Sequence, residues 1–154
     1  MKTIFKFLIP FMVLMVCVSC EKDKLITQNI TNPSDCIECV GWSWENGMAR
    51  TLDNDSAEYS HFSFKAKVSG ELIFSRRLSS QIKAFLEVKV NGKIFYNTTS
   101  STSNFGDISI GNVKYNDIII FRGYACDVKN IHIVGQAPAN SGQGDPDDDP
   151  QWDF

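Results

Sequence analysis

Cysteine is the residue type whose spacing most directly suggests chemistry in this chain. Cys36 and Cys39 have the Cys-x-x-Cys spacing of a thiol redox pair, and Cys126 follows much later in the sequence. A redox pair needs surroundings that lower the thiol pKa, such as the N-terminus of a helix in a βαβ unit, and the flanking sequence lacks that pattern. We therefore predict a structural role: a disulfide between Cys39 and Cys126, with Cys36–Cys126 as the open alternative.

The segment at residues 53–58 has the composition of a cation-binding loop. Asp53, Asp55 and Glu58 supply carboxylates, with Asn54 and Ser56 between them. Ca²⁺ is bound by several oxygen ligands of these types. The loop is our candidate for a structural calcium site, and an ordinary Asx-rich turn is the alternative. We predict no other cofactor.

Catalytic side chains do not form a recognised pattern. The chain has 2 histidines, His61 and His132, and both lie in segments with ordinary strand alternation. Glycoside hydrolysis needs two carboxylates across a cleft. Glu71 and Glu87 instead occupy outward strand positions, where cross-strand charge pairs are expected. We therefore predict a protein that is not an enzyme.

Aromatic side chains outside the core would be the carriers of sugar binding, because a flat ring packs on the apolar face of a pyranose. Phe105 is one aromatic candidate, and Tyr59, Tyr96 and Tyr124 are the predicted ligand-binding residues. Trp42 and Trp44 share one face of a predicted strand, so we expect both in the core.

The first 20 residues contain an export signal. A basic start precedes the apolar run 7–18, which is too short to span a bilayer as a helix. Ser19 and Cys20 follow, and then the polar run 21–24. This order resembles the lipobox of bacterial lipoproteins, although Cys17 stands where that family usually has Leu. The resemblance implies cleavage before Cys20, a lipid on Cys20 that holds the chain to a membrane, and an outer-membrane lipoprotein of the cell envelope. The run 21–24 loosely resembles the signal that directs such proteins to the cell surface.

Composition divides the chain into four parts. We expect a signal peptide at residues 1–19, a lipidated tether at 20–35, one folded domain at 36–136 and a disordered acidic tail at 137–154. The chain has 15 basic and 18 acidic residues, and a net charge of −3. It therefore lacks the basic patch that nucleic-acid binding requires, so we predict no nucleic-acid partner.

Short runs of alternating apolar and polar residues fill the predicted domain and indicate β-strands. The runs are residues 41–45, 60–68, 71–75, 83–90, 107–113, 117–122 and 128–134. Asn91-Gly92 predicts a two-residue type I′ hairpin, in which Val88 faces Phe95, Phe95 points inward and Tyr96 outward. The pattern predicts an all-β fold, an antiparallel two-sheet sandwich (jelly roll) of about seven or eight strands.

Several of these segments are similar to the jelly-roll modules of bacterial surface proteins, in the galactose-binding-like and MAM-like class. They are Trp-Glu-Asn-Gly at 44–47, Val-Asn-Gly at 90–92 and Asn-Ile-His-Ile at 130–133. The likeness spans residues 42–134 and implies a fold rather than a ligand set. It leads us to predict a lipid-anchored binding or adhesion module that recognises a glycan or a surface protein. The alternative is a structural accessory subunit of an envelope complex that docks a protein partner.

Overall fold

The structure, a computed structural model of the chain, describes residues 25–52 and 60–136. Several sequence predictions lie outside these residues: the signal peptide, Cys20 and its lipid, the acidic tail, the proposed calcium ligands Asp53, Asp55 and Glu58, and Tyr59.

Eleven strands and one turn of 3₁₀ helix make up the described residues. The strands are β1 (Ile26–Ile30), β2 (Glu38–Val40), β3 (Trp42–Glu45), β4 (Met48–Thr51), β5 (His61–Lys65), β6 (Ser69–Leu78), β7 (Phe85–Val90), β8 (Lys93–Thr98), β9 (Gly106–Val113), β10 (Ile118–Tyr124) and β11 (Cys126–Gln136), and the 3₁₀ turn is Pro33–Asp35. The predicted strand count was too low, because β1, β2 and β4 lie outside the alternating runs.

The strands form two antiparallel sheets, which confirms the predicted fold class. Sheet A has the order β3-β4-β11-β6-β9 and sheet B has the order β2-β5-β10-β7-β8. The remaining strand, β1, pairs with the second half of β11, whereas β4 pairs with its first half. Since β6 follows the other edge of β11 along its whole length, β1 and β4 must meet end to end along one edge of β11.

The core lies between the sheets and is rich in aromatic rings. Phe62 stacks on Phe121 at a centroid distance of 4.8 Å, and Phe74 meets Phe121 edge-on at 5.1 Å. Trp42 and Trp44 both pack against Phe62, as predicted. Each fully buried side chain of this size contributes about 1.5–3 kcal/mol to folding.

The folded domain begins earlier than residue 36, so the predicted tether is wrong for its second half. Residues Ile26 to Ile30 pair with β11 in an unbroken register, and Ile30 is buried in the core. Asn32 and Asp35 then close a capping box around the 3₁₀ turn. The alternation in this segment was too short and too polar to be read as a strand.

The predicted hairpin forms, but the strand after it has a different register. Asn91 and Gly92 have positive φ values of 49° and 80°, and Val90 faces Lys93 as expected. A bulge then pairs Val88 with Tyr96 instead of Phe95. The bulge reverses both side chains, so the expectation that Phe95 points inward and Tyr96 outward is wrong.

Candidate functional site

A concave site, here called the face groove, lies on the outer face of sheet A where β1 and β4 meet along β11. Its volume is about 640 Å³. The lining is dominated by hydroxyl, amide, carboxylate and imidazole groups. The lining residues are Thr27, Asn29, Thr31, Asn46, Gly47, Ile73, Ser75, Asp107, Asn130, Ile131, His132 and Val134.

A β-bulge in β11 creates the groove. The pairing of β11 with β6 shifts between Lys129 and His132, and Asn130 has a left-handed φ of 53°. Asn tolerates this conformation better than most residues. Bulges bend a strand and interrupt its hydrogen-bond ladder. The interruption therefore falls where β4 ends and β1 begins, and a concavity opens there.

The floor of the face groove is a chain of oriented polar groups. Ser75 is only 2% exposed. Its hydroxyl donates to Oδ1 of Asp107 at 2.5 Å and accepts from Nδ2 of Asn130 at 3.2 Å. Within the described part of the chain, Oδ2 of Asp107 and Oδ1 of Asn130 accept no hydrogen bond. These two oxygens are held in place and can receive donors from a ligand.

A second site, here called the rim pocket, lies at one end of the sandwich, where β4 and β6 end and β11 begins. Its volume is about 860 Å³. Hydroxyl groups and two arginines dominate its lining. The lining residues are Arg50, Thr51, Arg77, Leu78, Ser79, Ser80, Gln81, Ser101, Thr102, Ser103, Ala125, Cys126 and Asp127.

Asp127 joins the two arginines of the rim pocket. Nε of Arg50 donates to Oδ1 of Asp127 at 2.8 Å, and Arg77 donates to Oδ2 through Nε at 3.0 Å and also through Nη2. The Asp127 side chain is 12% exposed, whereas the side chains of Arg50 and Arg77 are 52% and 37% exposed. One carboxylate therefore anchors two cations that both reach solvent.

Phe105 and Lys129 lie between the two sites. The Lys129 ammonium is 4.1 Å and the Arg77 guanidinium 4.9 Å from the centroid of the Phe105 ring. On β11, Lys129 comes after Asp127 of the rim pocket and before His132 of the face groove. The two sites are therefore neighbours on the same face of sheet A.

Of the predicted tyrosines, Tyr96 and Tyr124 lie in the described residues, and neither lines the face groove or the rim pocket. Tyr96 is half-buried, meets Phe74 edge-on at 5.7 Å, and accepts a hydrogen bond from Nε of Arg76 at 2.6 Å. Tyr124 ends β10 and is also half-buried against the core. The expected exposure of these two residues is therefore wrong. Among the aromatic candidates from the sequence, Phe105 is the one beside the sites, where its ring contacts Arg77 and Lys129.

The cysteines are free thiols in this structure, so the predicted disulfide of Cys126 with Cys39 or Cys36 is not formed. The Cys126 thiol is buried beside Gly123 at the start of β11 in sheet A. Cys39 lies on β2 of sheet B, where its sulfur accepts a hydrogen bond from Nε1 of Trp44 at 3.1 Å and interacts with Cys36. Cys126 and Cys39 therefore lie on different sheets and are not bonded to each other.

The thiol environment argues against redox chemistry at the Cys-x-x-Cys segment. Burial, with a smaller contribution from Cys39, raises the pKa of Cys36 to about 12. A reactive redox thiol requires the opposite shift.

The histidines take ordinary strand positions. Nε2 of His61 lies 3.1 Å from a carboxylate oxygen of Glu38, and Nδ1 of His132 lies 2.7 Å from the carbonyl oxygen of Asn130. Across residues 25–52 and 60–136, no three His, Cys, Asp or Glu side chains are grouped as metal ligands would be. In the same ranges, no helix has the length and apolarity needed to cross a bilayer.

No protein-family model matches this chain, and no curated protein matches it significantly in sequence. Solved structures with some likeness include the CBM51-2 and INT domains of ZmpB from Clostridium perfringens (10% identity, 72% of this chain, 28% of that one, TM-score 0.46). A second is the C-terminal CBM6 of LamC, a laminarinase from Zobellia galactanivorans (12% identity, 73% of this chain, all of that one, TM-score 0.47). A third is a GH26-CBM35 mannanase from Podospora anserina (13% identity, 76% of this chain, 28% of that one, TM-score 0.41). The chain thus spans about 28% of the first and third.

Proposed function

We propose that this protein is a glycan-binding module of the cell envelope, held to a membrane by a lipid on Cys20, and that the face groove binds the glycan. The observation that carries the proposal is the oriented chain Asp107–Ser75–Asn130 on the floor of a concave, polar surface. Sugar hydroxyls both donate and accept hydrogen bonds. A groove that presents carboxylate, amide, hydroxyl and imidazole groups together can satisfy both roles.

Preorganisation supports binding at this place. Ser75 is buried and fixes Asp107 and Asn130 through hydrogen bonds. Side chains that are already ordered lose little conformational entropy when a ligand arrives, so more of the interaction free energy appears as affinity.

The aromatic ring of Phe105 supports the same proposal. It is half-buried two residues before Asp107, beside Lys129. Aromatic rings are large apolar surfaces on which the C–H face of a pyranose can pack. Phe105 therefore offers an apolar contact next to the hydrogen-bonding floor.

Binding without catalysis is part of the proposal. Asp107 is the only carboxylate among the described residues that line the face groove. Glycoside hydrolysis by the usual mechanisms requires two.

The position of β1 places the sites relative to the proposed lipid. Since β1 begins at Ile26, only residues 21–25 would separate the domain from a lipid on Cys20, a reach of at most about 18 Å. Ile26 pairs with Gly135 near the end of β11, whereas the rim pocket lies at the start of β11. The 11 residues of β11 span about 37 Å. The rim pocket would thus face away from the membrane.

The glycan-binding proposal is tested with the purified protein on a glycan array, followed by titration calorimetry of the best ligand. Asn130→Gly keeps the left-handed backbone but removes the amide, so we expect it to weaken binding about tenfold. The matched control is Asn116→Gly, at another left-handed position (φ 72°) outside both linings; it should bind like the unsubstituted protein.

Two results would contradict the proposed site. Binding that is equal in the Asn130→Gly and Asn116→Gly variants would remove the face groove from the proposal. A folded protein that binds nothing across the array would favour the accessory-subunit hypothesis, in which a protein partner is recognised. Repeating the array with EDTA tests whether the predicted calcium loop at Asp53, Asp55 and Glu58 contributes.

The lipid anchor has a separate test, the intact mass of the protein extracted from membranes. The proposal expects loss of residues 1–19 and added acyl chains on Cys20. Replacing Cys20 by Ser should release the protein from the membrane fraction. An unmodified mature chain found in the soluble fraction would contradict the anchor but not the glycan site.

A further inference from the structure

We propose that the rim pocket binds an acidic group, a carboxylate or a sulfate, carried by the glycan that the face groove holds. This inference rests on the proposed function and names the class of glycan: an acidic polysaccharide rather than a neutral one.

The charges of the rim pocket are unbalanced. Asp127 is the only carboxylate among its described lining residues, while Arg50 and Arg77 are both in the lining. Lys129, on the same face of β11, adds a third cation close to Arg77 through the shared Phe105 ring. Asp107, a further carboxylate on this face, is hydrogen-bonded to Ser75. Among the described lining residues together with Lys129, positive charge therefore exceeds negative charge.

The arginines are held in position rather than free to adapt. Nε of each donates to Asp127, so both guanidinium planes are fixed on the same carboxylate. The Arg77 guanidinium has five N–H donors and uses Nε and Nη2 for Asp127, so its remaining donors can meet an acidic group in planar geometry. Asp127 is thus the positioning residue of the pocket.

Another part of the pocket lining supplies hydroxyl donors. The 101–103 segment is fastened to β6: the backbone N–H of Thr102 donates to the carbonyl of Leu78 at 3.0 Å, and Nη1 of Arg76 donates to the carbonyl of Ser100 at 3.2 Å. Ser101 and Ser103 therefore lie on an anchored segment of the pocket lining. Hydroxyl groups next to guanidinium groups suit an oxyanion on a sugar, because the same groups can also contact the sugar hydroxyls.

Continuity with the face groove makes one ligand for both sites feasible. Asp127, Lys129 and His132 follow one another on the outer face of β11, and Arg77 and Ser75 do so on β6. Phe105 lies beside this path. An extended oligosaccharide on the face groove can therefore reach the rim pocket with its next residues.

The test compares matched pairs of glycans. Purified protein is titrated with oligogalacturonate, with the carboxyl-reduced form of the same oligosaccharide, and with a sulfated oligosaccharide of similar length. These three probes accompany every acidic glycan that binds on the array. We expect an acidic form to bind about tenfold more tightly than its neutral counterpart and its affinity to fall as NaCl is raised, because added ions screen exposed charges.

Variants locate the effect. Arg77→Gln should remove most of the preference for the acidic form, measured as the ratio of its affinity to that of the neutral form. Lys129→Met, which keeps an apolar chain at Phe105 and leaves the Asp127 hydrogen bonds intact, should reduce the preference more weakly. It remains informative if Arg77→Gln fails to fold. The matched control is Arg122→Gln on the outer face of sheet B, where Arg122 is also bound to a carboxylate, Glu87.

Each outcome has a defined meaning. Equal affinity for acidic and neutral forms, or an Arg77→Gln variant that keeps the preference, would overturn this inference and leave the glycan-binding proposal standing. If no glycan binds at all, titration with sodium sulfate separates the two proposals. A rise in the thermal unfolding temperature that is lost in Arg77→Gln but kept in Arg122→Gln would retain the anion site without the glycan function. No rise would overturn both.

Discussion

The outer faces of the two sheets use the same kind of charge cluster in different surroundings. On sheet A, Asp127 binds Arg50 and Arg77, and on sheet B, Glu87 binds Arg122 and Lys89, each at 3.1 Å. The two carboxylate side chains are almost equally exposed, at 12% and 13%. The cluster on sheet A lines the rim pocket, whereas the cluster on sheet B lines neither the rim pocket nor the face groove.

The difference originates in the strand register. The pairings of β10 with β5 and with β7 are unbroken, so charges on sheet B stand directly opposite one another, as in Arg122 and Glu87. On sheet A, β6 has a register shift in its pairing with β11 and another in its pairing with β9. The unbroken pairing of β10 with β7 sets Arg122 opposite Glu87, although β7 and β8 of the same sheet pair with a bulge. On sheet A, the bulge in β11 coincides with the concave face groove.

Removing the central carboxylate of each cluster is the strongest test of this comparison. We expect Asp127→Asn to lower the free energy of unfolding by about 2 kcal/mol, since hydrogen bonds from two guanidinium groups are weakened. Glu87→Gln should lower it by about 1 kcal/mol or less, because Arg122 and Lys89 contact a single oxygen of Glu87 at 3.1 Å, whereas both oxygens of Asp127 accept hydrogen bonds from guanidinium groups. Urea denaturation measures both. Equal losses would show that the two clusters contribute equally to the free energy of unfolding.

The Asp127→Asn variant also separates structure from binding. If Asp127 positions the arginines, Asp127→Asn should reduce the preference for acidic glycans although it increases the positive charge of the pocket. Glu87→Gln should leave glycan affinity unchanged. A stronger preference in Asp127→Asn would mean that net charge, and not arginine position, governs the pocket.

The bulge at Asn130 can be tested without changing charge. Asn130→Ala keeps the β-carbon but removes the amide with which Asn tolerates the left-handed conformation and donates to Ser75, so we expect a loss of about 1 kcal/mol of stability. Asn130→Gly avoids that strain and should stay within about 0.5 kcal/mol of the unsubstituted protein. Chemical denaturation of the two variants measures both changes in the free energy of unfolding. A more stable Ala variant would indicate that β11 pairs regularly in solution and that the groove is not formed.

The bulge in β8 gives a smaller effect on the sheet B side. Tyr96→Phe removes the hydrogen bond from Arg76, and we expect a loss of about 1 kcal/mol. Phe95→Ser, at a side chain that is 43% exposed, should cost less than about 0.5 kcal/mol. In the regular hairpin register predicted from the sequence, Phe95 would be buried and Tyr96 exposed, so Phe95→Ser would cost more stability than Tyr96→Phe. The pair of variants therefore distinguishes the two registers.

The regular parts of the fold could be predicted from the sequence because alternation reports directly on burial. Residues 60–68 and 83–90 alternate strictly, and their predicted inward side chains are buried. Asn91-Gly92 fixed the hairpin because both residues adopt positive φ at low cost. Local chemistry was sufficient in both cases.

The candidate site could not be predicted in the same way because it depends on departures from alternation. In β11 the buried aliphatic residues are Val128, Ile131 and Ile133, and the interval of three residues between the first two is the sequence trace of the bulge. That trace also fits a turn, and the groove further requires β1, whose pairing with β11 joins segments about a hundred residues apart. Long-range pairing of this kind leaves little local signal.

The smallest expected difference between the two sheets concerns their thiols. Their protonation affects stability, so it can be tested by measuring stability as a function of pH. Burial raises the pKa of Cys36, near sheet B, to about 12, and raises that of Cys126, in sheet A, further still. The unfolded chain loses these protons near its reference pKa of 9.0, whereas the folded protein retains them. The contribution of these thiols to the free energy of unfolding is therefore fully present below about pH 9 and is lost as the pH rises toward 12.

The urea midpoint measured at half-unit steps from pH 8 to about 11 should decline less steeply in Cys126→Ala than in the unsubstituted protein. Lysine and tyrosine titrations are common to both proteins and cancel in the comparison. A thiol reagent at pH 8 provides the second reading: Cys39 and Cys36 should be labelled slowly in the native protein, and Cys126 only on unfolding. Rapid labelling of Cys126 without urea would mean that the end of the sandwich beside the rim pocket opens readily, and the two faces would then differ in stability as well as in shape.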